Sequence, residues 1–134
     1  MSRELSLTSP SSLRDGLYKL WRKFTAPNST SALQTGKHWT DDKPIYRKVV
    51  AVAAGPNSST VNTAHGITGL GTVISVSGML DNATIQVPLP FADSAAAATQ
   101  IEMSLTDTNI VLISGASGDY SGYAGHVILE YTLA

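Results

Sequence analysis

Short segments in which apolar and polar residues alternate recur through the second part of the chain, and they constrain the fold more than any other feature. They are IYRKVVAV at 45–52, TVISVSG at 72–78, IEMSL at 101–105 and VILEYTL at 127–133. A period of two residues is typical of β-strands with one buried face. The run IVLI at 110–113 is apolar on both faces, as expected for a central strand.

The alternating segments are separated by stretches rich in turn-forming residues. These breaks are AGPNSS, HGITGLG, GMLDN, PLPFADS, TDTN and SGASGDYSGYAG. About seven short strands at near-even spacing indicate an antiparallel β-sandwich or barrel. Four alanines at 95–98 are the one place in this region where a helical turn is also possible. We therefore predict an all-β domain over residues 36–134.

A helical pattern precedes the strands, in SSLRDGLYKLWRKF at 11–24. Ser12 followed by Asp15 resembles a capping box, so we predict a helix over residues 12–24. Its apolar side chains form one stripe of helical period. The stripe consists of Leu13, Leu17, Leu20, Trp21 and Phe24.

A single helix of this length is marginal in water, so its apolar stripe needs a surface to pack on. Three surfaces are possible: the chain's own domain, another protein or a neighbouring copy, and a membrane surface. The linker TAPNSTSALQTG that follows is rich in Pro, Ser, Thr and Gly. Linkers of this composition separate domains, which favours an attachment segment at residues 1–35.

Charge is divided unevenly along the chain. Residues 1–48 carry all nine Lys and Arg, and residues 49–134 carry six of the ten acids and no base. Because binding to phosphate depends on Lys and Arg, nucleic acid is not expected as a partner of the acidic region. There is no cysteine, which excludes disulfides, thiolate metal sites and a cysteine nucleophile. The sequence shows no signal peptide and no apolar run long enough for membrane insertion, so we expect synthesis in the cytoplasm.

The residues give little sign of catalysis. His38, His65 and His126 are far apart in sequence and form no compact metal-binding pattern, so each is expected to be structural. Asp41 and Asp42 are adjacent and interpreted as solvated turn residues rather than a catalytic pair. No phosphate-binding loop or nucleophile elbow is present. We expect no enzymatic activity, no metal and no cofactor.

The loop SGASGDYSGYAGH at 114–126 sets Asp119, Tyr120 and Tyr123 among small residues. Tyrosine with Ser and Gly is the composition of adaptable binding loops, and aromatic faces with a carboxylate suit sugars. These three residues are a candidate binding site. The alternative is a turn in which Tyr120 or Tyr123 caps the core.

The stretch GKHWTDDKPIYRKVV at 36–50 is dense in charged and aromatic residues. Arg47 and Lys48 are neighbours on a predicted strand, so they point to opposite faces and do not form one cationic patch. We interpret Trp39, Tyr46 and Arg47 as core or subunit-interface residues. The basic side chains are expected to meet acids of residues 49–134, within one subunit or between subunits.

Three motifs in this sequence resemble the C-terminal domains of tailed-bacteriophage tail-fibre and receptor-binding proteins. They are W-x-D-x-K-P-I-Y-R-K-V-V from Trp39 to Val50, TAHGI from Thr63 to Ile67, and SGY…LEYT from Ser121 to Thr132. The first is fairly specific in combination, and the other two are weak alone. The likeness covers about residues 36–134. Asp42 departs from it, because glycine is expected at that position of the turn.

The resemblance implies a jelly-roll-type β-sandwich knob that forms a homotrimer on a virion and whose loops contact a host surface glycan or another envelope component. Residues 1–35 would bind other virion proteins of the tail or capsid. Two alternatives remain: a capsid head-fibre or decoration protein with the same knob, and a free carbohydrate-binding module.

Overall fold

The structure is a computed structural model that describes residues 28–134, and this part of the chain is all-β. It has eight strands: β1 (Leu33–His38), β2 (Pro44–Val52), β3 (Thr60–Ala64), β4 (Leu70–Asp81), β5 (Gln86–Leu89), β6 (Ile101–Leu105), β7 (Asn109–Ser114) and β8 (Ala124–Leu133). The one helical element among these residues is a 3-10 turn at Ala97–Thr99, in the alanine-rich segment. It is far too short to cross a membrane. The predicted helix at 12–24 lies outside the described residues, as do Leu13, Leu17, Leu20, Trp21 and Phe24.

The strands form two antiparallel sheets. The larger has the order β1-β2-β8-β4-β5 and the smaller has the order β3-β7-β6. The pairs β2–β8 and β3–β7 are nested in the sequence, with one pair in each sheet. The prediction of an all-β antiparallel domain is therefore confirmed.

One hydrophobic cluster joins the two sheets. Apolar residues of β7 and β6 pack with apolar residues from β2, β4, β5 and β8. The alternate residues Val127, Leu129 and Tyr131 of β8 point into this cluster, which is the reason for the alternation in its sequence. The most deeply buried members are Leu80, Ile101, Ile110, Leu112, Val127, Leu129 and Tyr131.

The predicted strands at 45–52, 101–105, 110–113 and 127–133 are confirmed, and β7 is the central strand of its sheet. The predicted break at GMLDN is wrong, because Gly78 to Asp81 continue β4 and Leu80 is fully buried. Gly78 suggested a turn, but in the structure it lets the backbone carbonyl of His126 approach closely. The chain turns at Asn82–Ile85 instead, where the Asn82 carboxamide accepts hydrogen bonds from the N–H groups of Thr84 and Ile85.

The segment predicted as a linker contains β1. This strand begins at Leu33, before the predicted domain boundary at residue 36, and the carbonyl of Ser29 accepts a hydrogen bond from the Val49 N–H at 2.8 Å. Gly36 has φ 83°, and the pairing of β1 with β2 shifts register around it. Gly36 made the segment resemble a linker, but it accommodates an irregularity within a strand.

The turn between β1 and β2 is tight, and Asp42 adopts a glycine-like conformation in it. The N–H of Trp39 donates to the carbonyl of Lys43, and the N–H of Asp42 donates to the carbonyl of Trp39, both at 2.9 Å. Asp42 has φ 66°, in the left-handed region that glycine adopts without steric cost. Asp41 and Asp42 are exposed turn residues, as predicted.

Replacing Gly125 tests the close approach of β4 and β8. A Cβ at this position would clash with the backbone carbonyl of Met79, so we expect Gly125→Ala to lower the free energy of unfolding by about 3 kcal/mol. Gly122→Ala is the matched control, because a Cβ there has no neighbour within 4 Å. In urea unfolding, the free energies of unfolding of the Gly122→Ala control and the wild type should agree within about 0.5 kcal/mol. Equal stability of the two variants would contradict the assigned packing.

Replacing Asp42 tests the turn. Asp42→Gly should raise the free energy of unfolding by about 0.5–1 kcal/mol, because it removes the steric cost of the left-handed conformation. The control Asp41→Gly, at a neighbouring position without positive φ, should destabilise by a similar amount. Thermal unfolding measures the three stabilities. If Asp42→Gly is less stable than the wild type and Asp41→Gly is more stable, the turn has another shape.

Candidate functional site

Among the three candidate receptor-binding residues, Asp119, Tyr120 and Tyr123, only Asp119 is exposed. Its carboxylate accepts hydrogen bonds from the Ser121 hydroxyl at 2.7 Å and from the Ser121 N–H at 3.1 Å. These two bonds, the hydroxyl contributing most, hold the pKa of Asp119 below its usual value. Asp119 is therefore an ionised group within a local turn, and its carboxylate is already engaged.

Tyr120, the second candidate binding residue, is 8% exposed and belongs to the hydrophobic core. Its ring meets the half-buried ring of Tyr123 edge-on, with centroids 5.4 Å apart. A receptor could not reach the Tyr120 ring without rearrangement of the loop. The alternative interpretation of the sequence, in which Tyr120 caps the core, agrees with this position.

The same loop supports the segment 97–100. The Tyr120 hydroxyl donates to the carbonyl of Thr99. The N–H of Gly115 donates to the carbonyl of Gln100 at 3.1 Å, and that of Ser117 donates to the carbonyl of Ala98 at 3.0 Å. Because the three bonds reach three nearby carbonyls, they fix the position of this segment against β7.

The supported segment forms one wall of an open cleft of about 420 Å³. Its opposite side is the outer face of the smaller sheet, where Ile113 of β7 lies directly across from Glu102 of β6. Phe91, which follows β5 and pairs with Ile101, closes the edge. The volume lies in the range of about 300–1,000 Å³ that proteins use for small molecules.

Asp93 stiffens the loop between Phe91 and the 3-10 turn. One carboxylate oxygen accepts the N–H groups of Ala95 at 2.9 Å and Ala96 at 3.2 Å, and the other accepts the Thr99 hydroxyl at 3.2 Å. The Gln100 side-chain amide donates to the backbone carbonyl of Asp93 at 3.1 Å. The cleft is therefore bounded by a hydrogen-bonded frame rather than by a free loop.

The side chains that face the cleft combine apolar surface with one carboxylate. Phe91 is half-buried, and Ile113 is 36% exposed although it is a large apolar residue on a central strand. Glu102 is exposed, and its carboxylate has no hydrogen bond or ion pair with any of residues 28–134. The cleft thus offers an apolar shelf beside a hydrogen-bond acceptor that is free to take a ligand.

The aromatic residues of the opening hairpin differ in exposure. Tyr46 is half-buried, packs against the core and stacks on Tyr131 with ring centroids 5.9 Å apart. Trp39 is 36% exposed at the β1–β2 turn and is not a core residue. Tyr46 therefore packs against the core while remaining partly exposed, and a subunit interface at Trp39 stays a prediction.

Arg47 and Lys48 point to opposite faces of β2, as predicted. Arg47 lies across from Glu130 of β8 and forms an ion pair with it at 3.0 Å, and Glu130 also accepts the Ser75 hydroxyl at 3.1 Å. Lys48 instead donates to the backbone carbonyl of His65 at 2.7 Å. The expected pairing with acids therefore holds for Arg47 and not for Lys48.

His65 is structural. Its ring is 1% exposed, Nδ1 accepts the Ile67 N–H at 3.1 Å, and Nε2 lies 3.1 Å from the carbonyl of Thr106. Because Nδ1 accepts, Nε2 carries the proton and donates. Within residues 28–134, no three His, Asp or Glu side chains come together in a way that could hold a metal ion.

Sequence reasoning missed the cleft because Phe91, Glu102 and Ile113 come from three separate segments. Phe91 is an aromatic residue after a proline-rich break, Glu102 occupies a polar position in an alternating strand, and Ile113 is part of an apolar run. Each residue alone therefore has an ordinary structural explanation. The one available signal was that IVLI is apolar on both faces. An apolar outer face is either covered by another part of a protein or exposed for binding.

Alkaline pH should destabilise the fold through its buried tyrosines. Burial raises the pKa of Tyr131 above the ordinary value of 10.0, and Tyr46 raises it further. Burial also raises the pKa of Tyr120, with smaller contributions from Tyr123 and Asp93. The unfolded chain therefore loses these protons first, so stability is fully present below about pH 10 and falls as the pH rises further.

Urea unfolding at a series of pH values checks this expectation. The free energy of unfolding should decrease between about pH 10 and 11.5, and the slope should be smaller in Tyr131→Phe. A wild-type slope that the substitution leaves unchanged would show that Tyr131 is not responsible.

Comparison with known proteins adds no relative from which a function could be transferred. No protein-family model, curated protein or solved structure matches the chain. The evidence for function therefore consists of the motifs and the geometry of this chain.

Proposed function

We propose that this protein is a trimeric bacteriophage virion protein, a tail-fibre or receptor-binding appendage. Residues 1–35 bind other virion proteins, and the β domain presents a host-recognition knob. On this proposal the protein is not an enzyme and is part of the virion.

The observation that carries the proposal is the conformation of Asp42. The motif from Trp39 to Val50 resembles the phage family at every quoted position, but glycine is expected where this chain has Asp42. Asp42 has φ 66°, so the turn has the backbone shape that a glycine would favour. The one departure from the motif is therefore compatible with the hairpin that the resemblance implies.

The strand order supports a jelly-roll-type β-sandwich. Strand β8 lies between β2 and β4, and β7 lies between β3 and β6. Nested antiparallel pairs that alternate between two sheets are typical of the double Greek-key arrangement of jelly rolls. The shared hydrophobic cluster is expected where two such sheets pack face to face.

The position of the first described residues supports attachment through the N-terminus. Ser29 lies beside β2 at the β1 edge of the larger sheet, so residues 1–27 join the domain at its side. These residues carry five bases and two acids, whereas residues 28–134 carry four bases and eight acids. The attachment segment therefore differs from the knob in sign of charge, which favours a separate binding partner.

Exposed apolar side chains at one end of the larger sheet are candidates for the trimer contact. Trp39 and Leu133 are each 36% exposed. Because Tyr46 pairs with Tyr131, continuing the register places Leu133 level with Pro44, close to the turn that carries Trp39. Burial of large apolar residues stabilises subunit interfaces, and Trp is enriched in them.

Light scattering after size exclusion tests the oligomeric state. At micromolar concentration the full chain should have three times the mass of one subunit, 14.1 kDa. Trp39→Ser should weaken the trimer by about tenfold or more, because it removes the largest apolar side chain that is exposed among residues 28–134. Ile85→Ser is the control, since Ile85 is 53% exposed but lies at the opposite end of β4. A monomeric wild type would refute the trimer.

Antibody labelling of intact particles tests location. Label at the tail would support a tail appendage, and label at the head would favour the capsid decoration alternative. Deletion of residues 1–27 should abolish binding to particles and leave the β domain folded. If the deleted protein still binds particles, the attachment role is wrong; if no particle binds the full chain, the free carbohydrate-binding module is favoured.

A further inference from the structure

Within residues 28–134, the cleft between Phe91, Glu102 and Ile113 combines concavity, apolar exposure and an unengaged charge. We propose that it binds a short neutral or amino saccharide. The inference rests on the proposed role of the domain in recognition, and it moves the recognition site from the 119–123 loop to this cleft.

The chemistry of the lining matches a sugar ring. A pyranose has an apolar face of C–H groups and an edge of hydroxyl groups. Phe91 and Ile113 provide the apolar surface for the face, and the Glu102 carboxylate accepts hydrogen bonds from the hydroxyl edge. Because the carboxylate has no partner among residues 28–134, no internal bond must break before it takes a ligand.

The electrostatics define the class of sugar. Residues 28–134 carry eight acids and four bases, and Asp93 lies in the loop beside the cleft. An acidic saccharide would be repelled by Glu102, whereas a neutral or amino sugar would not. We therefore expect uronic and sialic acids to bind more weakly than neutral sugars of the same size.

The 114–120 loop lines the cleft through Ser114 and Gly115 and also holds the neighbouring segment 97–100 in place. Tyr120, Gly115 and Ser117 donate hydrogen bonds to three carbonyls of the segment 97–100, of which Ala97 and Gln100 line the cleft. A wall held in advance reduces the ordering that binding would otherwise require. Tyr120 is therefore a positioning residue.

Saccharide binding by the full chain tests the site. The probes are neutral trisaccharides of glucose, galactose and mannose, tri-N-acetylglucosamine, trigalacturonate as the acidic sugar, and tetralysine as a cationic peptide. Titration of the isotope-labelled protein at millimolar probe should shift the amide resonances of Glu102, Ile113 and Gly115 with at least one neutral or amino sugar. A response to trigalacturonate or tetralysine alone, or to none of the probes, would overturn the proposal.

Substitutions then assign the contacts. Glu102→Gln and Ile113→Thr should each weaken binding by about tenfold, and Phe91→Leu, which keeps apolar bulk but removes the ring, should do the same. Asp107→Asn is the matched control, because Asp107 is an exposed acid in the β6–β7 turn, away from the cleft, and should leave binding unchanged. Equal effects of Glu102→Gln and Asp107→Asn would refute a specific role for Glu102.

Two further variants separate the cleft from its alternatives. Tyr120→Phe should weaken binding and shift the resonances of Thr99 and Gln100, whereas Asp119→Asn should change neither. Loss of binding in Asp119→Asn alone would return the site to the 119–123 loop. Trimer mass and particle binding are measured on the wild type and on the same variants. If the wild type forms trimers and binds particles but binds no sugar, only the cleft proposal is refuted. If the wild type neither forms trimers nor binds particles, the proposed virion function is refuted.

Discussion

The position of β8 between β2 and β4 is the constraint on which the rest of the structure depends. Its backbone pairs on both sides, and Val127, Leu129 and Tyr131 supply the centre of the shared core. Without β8, the larger sheet would separate into a β1–β2 hairpin and a β4–β5 hairpin. Isolated hairpins are marginally stable in water, so every other element depends on this strand. The absence of a side chain at Gly125 belongs to the same constraint, because it allows the β4 backbone to approach.

Strands with one buried face could be predicted from the sequence, since burial imposes a period of two directly on the residues. This applies to β2, β6 and β8, and the apolar run of β7 indicated its central place. The boundaries could not be predicted where glycine serves packing rather than turning. Gly78 lies inside β4 and Gly36 inside β1, and a single sequence does not distinguish these uses from a turn.

The candidate site was less predictable, for a different physical reason. Residues 114–123 have the composition of a binding loop, but Tyr120 lies in the core and its loop holds the neighbouring segment in place. The small residues of this loop allow it to pack tightly around the Tyr120 ring. Phe91, Glu102 and Ile113 meet only because one strand pairing, β6 with β7, and one bridge, Phe91 with Ile101, bring distant segments together. Such a meeting is set by tertiary topology, which local patterns do not encode.

The hydrogen-bonded frame around the cleft has a consequence for how the side chains that line the cleft can change. The frame consists of backbone groups together with Asp93, Thr99 and Tyr120, whereas Glu102 and Ile113 project outward from strands that remain paired whatever these side chains are. Substitution of an exposed side chain outside such a frame changes stability by about 0.5 kcal/mol or less. The lining can therefore diversify through single replacements while the fold is retained. On the proposed recognition role, such a lining would follow a changing target while the scaffold stays the same.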